Sequence, residues 1–167
     1  MTLAVLAACG RGTPSAAADT TAAAAPAAPV APPASGNLAS SGTFTSLLGD
    51  FQFAVPDVWE QRYTATERAK APEYPGTKTV TEFLFLPLSG GTPPALLTIL
   101  QYSEKDWKAV GAGPSKPSGT VVAEGGGRVF VALLLVSNPF PAGSEDAVAI
   151  APMLMTPEQV SKAMRIQ

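Results

Sequence analysis

The sequence predicts an α+β domain: an antiparallel sheet of five or six strands, helices gathered on one face, and a helix at the C-terminal end. Three observations predict it. Apolar stretches of strand length recur between residues 50 and 136, alternating or continuous. Breaker residues separate them, with Gly125, Gly126 and Gly127 between the last two. Capping residues, Ser144 and Thr156, then open helical stretches near the end of the chain. Residues 43–167 therefore form one folded domain, a length that suits a single core.

In chain order, "DFQFAV" sets Phe51, Phe53 and Val55 against polar neighbours, the pattern of a half-buried strand. Pro56 breaks it, and "EQRYTATE" alternates Tyr63 and Ala65 in a second strand. "TKTVTEFLFLP" carries Val80 and the run Phe83–Leu86, stopped by Pro87. "ALLTILQYS" is the most apolar stretch, which predicts a central strand over Ala95–Tyr102. "TVVAEGGGRVFVALLLV" reads as a hairpin, because glycines supply the positive φ that a tight turn needs. Arg128, just past that turn, is expected to be an exposed strand residue. Ser103 with Asp106 opens a short helix, "EKDWKAV". Ser144, Glu145 and Asp146 open another, which Pro152 interrupts. Thr156, Pro157 and Gln159 form a complete helix start, with Val160 and Met164 on one face and Ile166 as a possible extension.

Composition narrows the chemistry. Of 167 residues, 14% are charged, well under the roughly 25% of an average soluble domain. The net charge of −2 offers no basic face for nucleic acid. There is no histidine, which removes the commonest general base and transition-metal ligand. The one cysteine, Cys9, has no disulfide partner and belongs to no zinc motif. No cofactor and no metal site is expected. Calcium would need clustered oxygen ligands, and the close acids Glu104/Asp106 and Glu145/Asp146 lie where helix starts favour negative charge. The glycine run matches neither a P-loop nor a dinucleotide-binding spacing.

The beginning of the chain carries an address. "LAVLAAC" places an apolar run and small residues before Cys9, the arrangement of a bacterial lipobox in residues 1–9. A membrane-spanning helix would need about 20 apolar residues, many more than this run holds. The run lacks a Lys/Arg segment before it, which predicts a true start upstream of Met1. From Gly10 to Gly42 every residue except Arg11, Asp19, Val30, Asn37 and Leu38 is Ala, Pro, Gly, Ser or Thr. Such a segment buries too little apolar surface to offset its ordering entropy, and its prolines interrupt the alanine blocks. The expectation is a disordered tether spanning on the order of 30 Å.

The candidate binding residues are aromatic and basic. Trp59, Tyr63, Tyr102 and Trp107, with Arg62, could line a shallow groove, because Trp and Tyr supply contact area and Arg directed donors. Core packing is the competing reading, above all for the tryptophans. "SNPFPAGSED" predicts a rigid loop that either presents Asn138 and Phe140 to a partner or simply connects two elements.

"FQFAVPDVWEQRYTATE", "LLTILQYSEKDW" and "NPFPAGSED" resemble uncharacterised small secreted domains and lipoproteins of bacteria, which show F-x-x-P-x-x-W-x-x-x-Y, S-E-x-x-W and N-P-Y-P-x-G-S in this order. A more distant similarity, to PsbP/Mog1-like domains, rests on Phe53, Val55, Pro56 and Trp59 and implies scaffolding in membrane complexes. The expected function is a non-catalytic binding or accessory protein, held at the periplasmic or extracellular face of a bacterial envelope by a lipid on Cys9. Its expected partners are the membrane and an envelope or membrane-complex protein. Two alternatives stand beside it: a small hydrolase using a Ser/Lys or carboxylate pair, and a structural surface lipoprotein without a specific ligand.

Overall fold

The computed structural model describes residues 42–111, 113 and 116–167. Cys9 and the predicted tether up to residue 41 lie outside the described residues. The chain is α+β, as expected, but its strands divide between two antiparallel sheets. The strands are β1 (Gly42–Thr45), β2 (Phe51–Val55), β3 (Tyr63–Ala69), β4 (Thr79–Phe85), β5 (Ala95–Ser103), β6 (Thr120–Gly125), β7 (Arg128–Leu134) and β8 (Met164–Ile166). The helices are α1 (Glu104–Gly111), α2 (Glu145–Ile150) and α3 (Pro157–Ala163). The larger sheet runs β3-β4-β5-β7-β6 and the smaller β1-β2-β8. Gly42, read from the sequence as the last tether residue, is the first residue of β1.

Side-chain alternation gives the larger sheet two apolar faces. Phe83, Phe85, Leu97, Ile99, Phe130 and Ala132 point toward the smaller sheet and meet Phe51, Phe53 and Val55 of β2. Val80, Leu100, Tyr102, Val129 and Val131 point the other way, where Trp107 and Val110 of α1 cover them. The helices therefore do not share one face, because β5 is apolar on both sides and each side needs a cover. Phe83 is the hub of the inner core. Its ring centroid lies 5.0 Å from Phe44, 5.1 Å from Phe53, 5.8 Å from Trp59 and 6.2 Å from Tyr63.

Local signals explain most boundaries. Gly126 and Gly127 both take positive φ, 60° and 73°, and form the two-residue turn between β6 and β7. Pro152 ends α2, and the chain continues as a single 3-10 turn, Ala151–Met153. Thr156 and Gln159 make a reciprocal capping box at the start of α3. That helix stops at Ala163. Met164, Arg165 and Ile166 are extended and pair with Phe53, Gln52 and Phe51, so Ile166 does not extend the helix. The outer edge of β2 offers backbone partners and an apolar face for Met164, which a further turn of helix would forgo. Arg128 is also more engaged than expected: it pairs with Asp50 at 3.0 Å and donates to the carbonyl oxygen of Gln167 at 2.6 Å.

Phe83→Ala is expected to cost about 3–5 kcal/mol in urea unfolding, because it empties the contact point of both sheets. Val136→Ala, at a side chain 90% exposed, is expected to change stability by less than about 0.5 kcal/mol in the same measurement.

Candidate functional site

The structure distributes the sequence-selected aromatic residues among separate places. Trp59 and Tyr63 are buried in the inner core, and the Trp59 indole N–H donates to the Met153 carbonyl at 2.9 Å. Tyr102 is buried on the opposite face of the larger sheet, with its ring centroid 5.3 Å from that of Trp107. The expected groove of Trp59, Tyr63, Tyr102 and Trp107 is therefore not formed, since the sheet lies between its halves. Burial raises the phenol pKa of both Tyr63 and Tyr102. Both hydroxyls are enclosed and lack a partner among the described residues, which leaves them no surface to offer a ligand. Trp107 is half-buried on α1, with the Lys116 ammonium 5.7 Å from its ring centre.

Asn138 and Phe140 serve their own loop. The Asn138 amide donates to the Ala147 carbonyl at 2.7 Å and its oxygen accepts the Phe140 N–H at 3.0 Å. Phe140 meets Phe85 edge-on at 5.6 Å. The connector reading therefore accounts for the contacts of both side chains. Arg62 is half-buried, with one guanidinium nitrogen enclosed and unpartnered among the described residues.

The acids hold structure together. Asp146, expected only to favour a helix start, is 3% exposed and binds the loop after β4. It accepts from the Leu88 N–H at 2.7 Å, the Ser89 N–H at 3.1 Å and the Ser89 hydroxyl. The Ser89 hydroxyl, foremost, and these amides hold its pKa below the ordinary carboxylate value. Asp106 is likewise lowered, by the Ser103 hydroxyl and then by Lys78, 2.9 Å away. Glu67 binds the β1–β2 turn: it accepts from the Ser46 hydroxyl, from the Leu47 N–H at 2.9 Å and from Thr81 at 3.2 Å.

A depression of about 550 Å³ with Lys70, Lys78 and Asp106 in its lining lies beside α1. Among the concave surfaces of the described residues, the joined and mostly apolar one lies at the end of the sandwich where β7 finishes. Two depressions of about 410 and 420 Å³ meet along the segment Leu154–Met155. The first is bounded by Ser118–Thr120, by Leu134–Val136 and by Leu154–Pro157. The second lies between Pro56, Val58 and the rim of Trp59 on one side, and Pro152, Gln159, Lys162 and Ala163 on the other. Val58, 54% exposed, and Val136 stand at its outer limits. Lys162 is the one charged side chain among the residues lining the two depressions. An open, apolar groove with polar margins is suited to burying apolar surface from a partner.

Of the selected residues, only Trp59 touches this groove, and only with its rim. The sequence did hold a signal: "LLLV" at Leu133–Val136 continues apolar beyond the last β6 residue paired with β7, and "PMLM" follows the helix break at Pro152. The chain matches no protein-family model, no curated protein and no solved structure.

Asp146 has a lower pKa folded than unfolded, so acid protonates the unfolded chain first. Its contribution is complete above the unfolded carboxylate value and is lost as pH falls through the folded one. The unfolding temperature of Asp146→Asn is therefore expected to fall below wild type at neutral pH and to converge with it in acid. Parallel curves across that range would remove the Asp146 account.

Proposed function

We propose that the protein is a non-catalytic binding or accessory module of the bacterial cell envelope, anchored by a lipid on Cys9. In this reading the segment up to residue 41 is a tether, and the folded domain engages an apolar segment of an envelope or membrane-complex protein. The observation that carries it is the open groove around Leu154 and Met155, whose lining is apolar and bears a single charged side chain. The lipobox pattern ending in Cys9 supports the address. A tether supports the role, because it raises the concentration of the domain near membrane partners without setting its orientation. The F-x-V-P-x-x-W pattern at Phe53–Trp59, which resembles PsbP/Mog1-like domains, would fit a scaffolding part in a membrane complex.

The test separates anchor from groove. In cells expressing the gene with its upstream region, the wild type is expected in the membrane fraction with a mass raised by lipid, and Cys9→Ser in the soluble fraction. A photo-crosslinking residue at Val58 or Val136 is expected to give a discrete adduct in membranes. The same residue at Val148, exposed on α2 and outside the groove lining, is expected to give none. Equal labelling from Val148 would remove the groove from the account, and an unlipidated wild type would remove the anchor.

A further inference from the structure

The groove contains an interruption in the sheet. Leu135 donates its N–H to the Leu96 carbonyl at 3.1 Å, so at that position the backbone of the β7 segment faces β5. Alternation then turns the N–H and C=O of Leu134 to the opposite edge, the side on which β6 lies. But β6 pairs only as far as Thr120, opposite Ala132. The next rung would set Ser118 opposite Leu134, and among the described residues no backbone hydrogen bond takes up that edge of Leu134. The reason is local. The chain crosses so close at Gly119 that a Cβ there would stand 2.6 Å from the Ala132 carbonyl oxygen, nearer than regular strand pairing allows, just before that rung. The place where β6 would continue is instead the first depression, walled on its far side by Leu154–Pro157.

We propose that this gap is a strand-addition site: an extended segment of a partner protein pairs with the free edge of β7 at Leu134 and lays its apolar side chains along Leu154 and Met155. The proposal rests on the groove reading above and specifies the partner. An unpaired edge inside a concave apolar surface favours an extended chain, which supplies backbone partners and alternating side chains together. A helix would satisfy its own backbone and leave Leu134 unpaired. Charge narrows the choice further. Lys162 is the one charged residue of the lining. Glu158 also lies on α3, where the neighbouring Thr156 hydroxyl, foremost, lowers its carboxylate pKa. The segment that fits is apolar at alternate positions and acidic at the end beside Lys162.

The probe is a blocked peptide of alternating valine and threonine with glutamate at both ends, titrated into the isotopically labelled full chain. The expected result is saturable shifts at Leu134, Leu154 and Met155, with hydrogen exchange at the Leu134 amide slowed about tenfold or more. A counterpart with lysine ends is expected to bind more weakly. Val136→Glu is expected to weaken binding of the first peptide about tenfold at an unchanged unfolding temperature. Shifts at Leu154 and Met155 without slowed exchange at Leu134 would overturn strand addition and leave the groove reading standing. No shift at any of the three would overturn both. Equal affinity for the two peptides would overturn the acidic partner. Slowing at Leu134 that follows protein concentration alone would give the edge to a second copy of this chain and overturn the proposal.

Discussion

Five aromatic rings meeting at Phe83 hold the two sheets together. Phe44 and Phe53 reach it from the smaller sheet, Tyr63 from β3, and Trp59 from the turn that joins β2 to β3. Each such ring removes about 150–250 Å² from water, so the cluster supplies much of the apolar burial of a short-stranded domain. The tilted and edge-on contacts also fix orientation, since ring quadrupoles disfavour face-to-face stacking. β1 has only four residues and β8 three, too few to hold their places by pairing alone. Both depend on side chains, Phe44 and Met164, that pack against this core.

Around that centre the two ends of the sandwich differ. One end is held by polar contacts. Glu67 binds the turn after β1, and the Gln101 amide donates to the Gly49 carbonyl at 3.0 Å. Arg128 ties Asp50 to the C-terminal residue. These contacts tie the turn residues to the sheet, although the Arg128 Nε is enclosed without a partner among the described residues. The other end is where β7 outruns β6 and the chain passes from α2 to α3 through Leu154 and Met155. It is apolar and open. Beside the capping box of Thr156 and Gln159, the Trp59 indole on the Met153 carbonyl holds the groove wall from inside. The asymmetry separates an end tied by polar contacts from an end whose apolar surface stays open.

The strands β2 to β7, the glycine turn and the helix starts at Ser103, Ser144 and Thr156 were legible in the sequence, because each rests on neighbours within a few residues, whereas β1 and β8 were not. Alternation in "DFQFAV", two glycines at positive φ and a capping box are local events, decided by sterics and short-range hydrogen bonds. Composition also bounded the chemistry, since a chain without histidine and with one cysteine lacks the commonest bases and ligand sets. The lipobox-like pattern ending in Cys9 is likewise a matter of residue order, legible without a fold.

Tertiary structure alone decided which apolar residues would be covered. Trp59, Tyr63 and Tyr102 carry the same signal on paper as exposed binding aromatics; the pairing of β3 with β4 and β4 with β5 sent them into two cores on opposite faces. "AMRI" continues a helical pattern, yet an open edge on β2 made it a strand, because non-local backbone partners outweigh the propensity of three residues. Asp146 read as a helix-start acid and became the clasp of a loop 57 residues away in sequence. The groove follows the same logic: Leu134 and Leu154 are ordinary core residues in sequence, and they bound an open surface because β6 stops one rung short. Residue order settles what a segment can be, while burial and edge pairing depend on what the rest of the chain brings alongside it.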